Sequence, residues 1–244
     1  MSAGSETPDR AQPYRRPRDA ATLILVDRSE GPPRVLLGKR HHGHVFMPGK
    51  FVFPGGRAEA MDRHAPFSSP LHAAAEAKLM QRIARPSPAK ARALALASIR
   101  ETYEETGLLL GARMGDGMTV KRRRPNRQTP WQAFADAGIA PDLSAISFVA
   151  RAVTPPQRNR RYDTRFFAAD ASTVAHRIDG MVSESTELVE LVWVPIADTQ
   201  HLDLPGITRR VLAELQTRIA NGFAHDLPVP FFFSRRGKFN REML

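Results

Sequence analysis

Three carboxylates crowd into the segment Arg100-Glu101-Thr102-Tyr103-Glu104-Glu105-Thr106-Gly107-Leu108. Glu101, Glu104 and Glu105 are three and four positions apart, so on a helix they share one face. Like charges at that spacing repel by a few tenths of a kcal/mol per pair in an exposed helix. They also fall near the C-terminal end, where the helix dipole disfavours acid. A chain that keeps all three there neutralises them with something, and a hard divalent cation with oxygen ligands is the natural candidate. A solvated acidic surface is the commoner fate of a charge run, but this one stands against both repulsion and dipole, which argues for function.

These carboxylates need a rigid helix. Leu96, Ile99, Tyr103 and Thr106 recur at three-four spacing, which predicts one buried face. The expected helix runs from about Pro88 to Thr106 and stops at Gly107. Upstream, Ala20 to Val26 and Arg34 to Gly38 read as strands joined by a Gly31-Pro32-Pro33 turn. Phe51-Val52-Phe53 enters a Pro54-Gly55-Gly56 turn, and Ala73 to Ile83 reads as an alanine-rich helix. Downstream, 112–130 reads as loop and Trp131 to Ala137 as a short helix. Ile146 to Val153, Asp163 to Ala168 and Leu188 to Val194 read as strands, and Pro205 to Ala220 as a terminal helix. Residues 1–18 read as a disordered tail, 19–226 as one domain, and 227–244 as a tail whose Phe231-Phe232-Phe233 must pack or aggregate. Strands, helix, strands, helix suits an α/β sandwich.

The composition is that of an ordinary soluble globular protein of 244 residues, with 42% hydrophobic and 25% charged residues. No stretch approaches the length of a membrane helix, and the N-terminus has no apolar signal core. Cysteine is absent, which excludes disulfides, a thiolate zinc site and a cysteine nucleophile. The expected location is cytoplasmic. A formal charge of +11 suits an anionic partner, whether nucleic acid, a phosphorylated metabolite or an anionic lipid. Basic clusters lie at Arg15-Arg16-Arg18, Lys121-Arg122-Arg123-Arg124, Arg158-Arg160-Arg161 and Arg235-Arg236-Lys238; the first, second and last read as solvated surface.

Together, Phe53-Pro54-Gly55-Gly56 and the Arg100–Leu108 segment resemble the box of the Nudix hydrolases, G-x5-E-x7-R-E-U-x-E-E-x-G-U with U apolar. Arg100, Glu101, Glu104, Glu105, Gly107 and Leu108 match its second half, and Gly56 opens the first. Asp62 takes the first acidic position, Thr102 replaces an apolar residue, and an insertion over 63–93 splits the box. The resemblance implies an α/β/α sandwich with a mixed β-sheet and a helical insertion inside the box, with the two halves adjacent in space. It implies hydrolysis of a nucleoside diphosphate linked to a moiety X, with Mg2+ or Mn2+ held by Glu101, Glu104, Glu105 and the carbonyl of Gly56. Arg100 then ties the helix to the glycine loop, and Glu104 and Glu105 count among the catalytic residues. The alanine-rich face of the insertion is expected to wall part of the pocket for X.

The attacking water needs a base or an orienting acceptor. Among Glu184, Glu187 and Glu190, Glu187 is the preferred extra ligand or base and Glu184 the second choice; solvated loop glutamates are the competing reading. The segment Thr154 to Phe167, with its basic loop and Arg161-Tyr162-Asp163-Thr164-Arg165-Phe166-Phe167, resembles the split-box Nudix branch that includes the peroxisomal coenzyme A diphosphatases. Alternation puts Asp163, Arg165 and Phe167 on one face, so Arg165 either presents a guanidinium fork to a phosphate or closes an ion pair with Asp163. The branch also carries an arginine after the second strand, which points to Arg40 for substrate binding. Met47-Pro48-Gly49-Lys50 stands where that branch has a further arginine and a glycine-acid pair. His41, His42 and His44 read as loop residues. The function expected is therefore a nucleotide diphosphatase acting on a small molecule, with coenzyme A or acyl-coenzyme A as the best guess. A dinucleotide or nucleotide sugar substrate, or an RNA-binding or decapping role favoured by the charge, are the alternatives.

Overall fold

The computed structural model describes residues 16–43, 47–115, 129–158 and 160–244. Residues 1–15, His44 and the basic cluster 121–124 lie outside that set. Strands β1 (Arg18–Asp27), β2 (Arg34–Arg40), β3 (Phe51–Val52) and β4 (Gly55–Arg57) come first. Helices α1 (Ala73–Leu79) and α2 (Pro88–Thr106) follow, then β5 (Leu108–Leu110), β6 (Ala112–Arg113), α3 (Pro130–Asp136) and β7 (Ile139–Ala140). The chain continues through β8 (Ser147–Val153), β9 (Tyr162–Asp170), β10 (Val174–Arg177) and β11 (Leu188–Pro195). It ends with α4 (Gly206–Ala220), β12 (Pro230–Arg235) and β13 (Lys238–Met243).

The main sheet is mixed, in the order β11-β2-β1-β9-β8-β12-β13, with β3 added to β2 and β4 to β1. β1 runs parallel to β9, and β12 parallel to β8. Helices cover both faces, which is why β1 reads as a nearly unbroken apolar run. Ala21, Leu23, Leu25, Phe167 and Ala169 pack with Leu96 and Ile99 of α2. Ile24, Val26, Phe166 and Ala168 pack with Val211, Leu212 and Leu215 of α4.

The sheet forks on one side. β2 meets β1 only at Val26–Val35 and Asp27–Arg34, and beyond that β4 takes β1 while β3 takes β2. Gly55 and Gly56, expected in a turn, therefore lie in a short strand against Ala21 and Thr22. The α2 boundaries are those expected. Ser87 caps the start through Lys90 N, and Gly107 ends it with φ 76°, where a Cβ would collide with the Ile178 carbonyl. α1 stops four residues before the expected Ile83. The carbonyls of Gln81 and Arg82 turn away to accept from the Arg151 guanidinium at 3.1 and 3.3 Å. Trp131 to Ala137 is helical over Pro130–Asp136, and residues 112–113 pair with β7 where loop was expected. The Phe231–Phe233 run packs on the domain as a strand of the main sheet.

An ionic cluster sits between the sheet and the start of α2. Arg165 is 1% exposed and donates to Asp19 at 2.8 Å and to the Asp163 carbonyl at 2.7 Å. Arg151 clasps the Asp163 carboxylate at 2.8 and 2.7 Å, and Lys90 reaches Asp19 at 2.9 Å. Burial works against the Asp19 charge, but Arg165 and Lys90 outweigh it and hold its pKa below the usual 3.8. A carboxylate held more firmly ionised in the fold adds stability above its unfolded pKa, and that stability fades as pH falls through the lower native value. Asp19→Asn should therefore cost about 1 kcal/mol near pH 7, modest because solvent screens a half-exposed group. Urea unfolding near pH 7 and about pH 3 checks this: the gap from wild type should close at the lower pH. Identical curves near pH 7 would show that Asp19 contributes nothing.

Candidate active site

α2 brings the carboxylates to the fork. Its apolar side is fixed against β1 by Leu96 and Ile99, so the side bearing Glu101, Glu104 and Glu105 meets β4. Glu105 accepts from Gly55 N at 3.1 Å. A Cβ on Gly56 would fall inside contact distance of the Glu101 carboxylate, so a larger residue there would push that carboxylate aside. The two halves of the split box are thus adjacent. Thr102, at the position expected to be apolar, is fully buried because its hydroxyl donates to the Ser98 carbonyl at 2.8 Å.

Arg100 is the hub, at 2% exposure. Its Nε and Nη2 donate to Asp62 at 2.8 and 3.2 Å, and Nη2 also donates to the Arg57 carbonyl at 2.8 Å. Nη1 stands 2.8 Å from Glu101 and 2.5 Å from Glu104. Burial disfavours its charge, but the Asp62 hydrogen bond and the Glu101, Asp62 and Glu104 carboxylates raise its pKa overall. Asp62, 0% exposed, also accepts from Glu59 N at 2.8 Å. Its carboxylate is spent on Arg100 and the backbone.

The glutamates are under strain of charge. Burial, aided by Glu104, pushes Glu101 up to about 7 against the pull of Arg100. Burial, with the charges of Glu187 and Glu101, raises Glu105 well above the usual range. Glu104 is raised by burial despite its Arg100 pair. Among the described residues no three acidic or imidazole groups already converge as an ion cage. In kind, however, the donors are all oxygen, crowded, and short of positive charge, which fits a hard divalent ion. Arg100 Nη1 presently supplies the positive charge between Glu101 and Glu104.

The fork opens into a cavity of about 1180 Å3 on the α4 face of the sheet, with Gly55, Gly56 and Glu101 at one end. Arg40 and Glu187 line it and pair at 2.9 Å, and His41 N donates to the Glu187 carbonyl, which sets Glu187 beside the end of β2. Glu184 and Glu190 do not line it, and Glu190 lies 3.9 Å from Lys39. The expectation that Arg165 faces a phosphate is corrected. Alternation on β9 turns Tyr162, Thr164 and Phe166 to the cavity and sends Arg165 to the α2 face, into the ion pairs of the alternative reading. The insertion does not line the cavity either, because it packs on α2, on the opposite side of the sheet. Lys50, Arg158, Arg160 and Arg210 do line it, and they were not among the expected binding residues. The Arg158–Arg161 cluster carried a signal for two of them; Arg210 stood in a helix legible only by its apolar stripe.

No family model matches the chain, and no curated protein matches it. Solved structures do. A Nudix hydrolase from Alicyclobacillus acidocaldarius is 28% identical over 81% of this chain and 90% of that one, with a TM-score of 0.59. The Nudix domain of Shewanella oneidensis NrtR, solved with ADP-ribose, is 13% identical over 87% and 94%, at 0.47. A MutT Nudix hydrolase from Burkholderia pseudomallei is 14% identical over 82% and 99%, at 0.46. The fold is therefore the Nudix fold, an α/β/α arrangement with a mixed sheet. Among the described residues no helix is long and apolar enough to cross a membrane.

Removing Arg100 would strand Asp62 as a buried, uncompensated charge. Arg100→Ala should cost about 3–5 kcal/mol, and Arg100→Lys should restore little, because an ammonium cannot fork between Asp62 and the Arg57 carbonyl. Denaturant unfolding of both variants checks this; near-wild-type midpoints would remove Arg100 from its structural role.

Proposed function

We propose that this protein is a divalent-metal-dependent hydrolase of a diphosphate bond in a nucleoside diphosphate linked to a second group X. The observation that carries the reading is the crowded, charge-strained set Glu101, Glu104 and Glu105, with Glu101 against Gly56 and Glu105 against Gly55, beside an arginine-lined cavity that Glu101 lines. Glu101, Glu104, Glu105 and the Gly56 carbonyl would hold Mg2+ or Mn2+. Such an ion, when bound, offsets the substrate's charge and lowers the pKa of water. Arg100 keeps Glu101 and Glu104 oriented. Arg40 holds Glu187 at the cavity wall, where Glu187 orients or deprotonates the attacking water, while Arg40, Lys50, Arg158 and Arg160 bind phosphate oxygens. The likeness to the Alicyclobacillus Nudix hydrolase supports the reaction class. Coenzyme A or acyl-coenzyme A is the first substrate to try, followed by dinucleotides and nucleotide sugars. The cavity exceeds the roughly 300–1000 Å3 of ordinary ligand sites, which suits a long substrate.

A panel of such compounds, incubated with Mg2+ or Mn2+ and read by product mass, tests the reading. Glu104→Gln should lower kcat by at least about two orders of magnitude with an unchanged unfolding midpoint, since one of three crowded charges is removed. Full activity in that variant, or no metal-dependent cleavage by wild type of any compound in the panel, would overturn it.

A further inference from the structure

The far end of the cavity is built by a part of the chain with no role in the box. β12 and β13 form a hairpin on the edge of the sheet, and its α4-side face contributes Phe232, Ser234 and Phe239 to the cavity wall. Phe239 is 51% exposed, one of three large apolar side chains so exposed among the described residues. Its ring is nevertheless held. The Arg210 guanidinium, from the first turns of α4, lies 4.5 Å from the ring centroid. The buried Phe232 ring is stacked with it, 6.0 Å between centroids and 19° from parallel. Directly across the hairpin stands Ser234, whose small side chain leaves Phe239 half exposed at the cavity wall. No ion pair among the described residues involves Arg210, so none of their carboxylates neutralises its charge.

A half-exposed aromatic ring carrying a guanidinium, inside a cavity that begins at the carboxylate cluster, matches one kind of group. We propose that Phe239 and Arg210 form a stacking subsite for the nucleobase of the substrate. The inference rests on the proposed nucleotide-hydrolase reading and adds to it where the base goes. The distance supports it. β4 and β13 are five strand spacings apart across β1, β9, β8 and β12, roughly 20–25 Å at about 4.8 Å each. Side chains reach inward from both ends, and Arg158 and Arg160 lie on the walls between. A nucleoside joined to its diphosphate bridges what the inward-reaching side chains leave of that distance, whereas a lone phosphate does not. Stacking on an aromatic ring tolerates any base, and the guanidinium adds a second planar surface.

The test separates binding from turnover. Adenosine 5′-monophosphate and ribose 5-phosphate share a phosphate and a sugar and differ by the base. Titrated calorimetrically into the full chain, the first should bind about tenfold or more tightly than the second. Phe239→Ala and Arg210→Ala should shrink that ratio toward one while leaving ribose 5-phosphate affinity within about twofold. Phe239→Leu keeps apolar area without a flat π face and should behave like Phe239→Ala; should the alanine variant fail to fold, it decides alone. Equal binding of the two ligands by wild type, no binding of either, or a ratio unchanged in the Phe239 variants would overturn the subsite. Hydrolysis of the panel is measured separately, so loss of the subsite with intact metal-dependent cleavage refutes only this inference. Absent cleavage by wild type refutes the reading beneath it.

Discussion

The guanidinium of Arg100 lies almost wholly out of water, and its charge is shared among Asp62, Glu101, Glu104 and the Arg57 carbonyl. Such a burial costs several kcal/mol per ion unless geometry and hydrogen bonds are nearly complete. Here the partners come from three places: the short 3-10 turn after β4, the strand β4 itself, and the same face of α2. Their arrangement around one rigid fork therefore fixes where β4 stands against α2. That in turn fixes Gly56 against Glu101 and Gly55 against Glu105. The insertion of about thirty residues is tolerated because both of its ends are anchored at this hub, and a loop lengthens at small entropic cost once its ends are held.

Arginine has two fates in this chain, and the face of the sheet it meets decides between them. Arg151 and Arg165 point to the α2 face, where Asp19, Asp163 and the carbonyls after α1 satisfy them inside the fold. Arg40, Arg158, Arg160 and Arg210 open on the α4 face and line the cavity. A neighbouring position on the same strand would move a guanidinium from one role to the other, since successive side chains lie on opposite sides of the sheet. The +11 charge is thus not one undifferentiated surface property. Part of it holds the insertion to the sheet, and part is presented to a ligand.

This division explains what was legible in the sequence. The α2 boundaries and its carboxylate face follow from local signals: Ser87 and Pro88 at the start, Gly107 at the end, and three-four spacing between. Glu101, Gly56 and Arg40 needed only that helix and one strand end, and they line the cavity; Glu105 reaches Gly55 beside it, while Glu104 turns to Arg100. Arg165 was placed on the right face relative to Asp163, but periodicity cannot say which face carries the cavity; α4 packing on the even positions of β9 settled that. The early end of α1 depends on Arg151, seventy residues away. The two glycines before Arg57 read as a turn because their partner, β1, lies more than thirty residues upstream.

The C-terminal hairpin is the clearest case of long-range information. Nothing local distinguishes Phe231-Phe232-Phe233 from a tail that merely covers an apolar patch. Once β12 runs parallel to β8, alternation splits the run: Phe231 goes to the α2 face beneath the Arg151 guanidinium at 4.3 Å, and Phe232 goes to the α4 face and the cavity. Pairing with β13 then carries Phe239 to the same side as Phe232 and under Arg210. The same guanidinium that meets Phe231 also grips Asp163 and the carbonyls that end α1. The hairpin is consequently registered by the ionic cluster on one face of the sheet while it shapes the ligand cavity on the other. Stability on the α2 side and the shape of the far cavity wall are two consequences of one strand pairing, so a change that slips β12 by one residue would exchange the faces and lose both together.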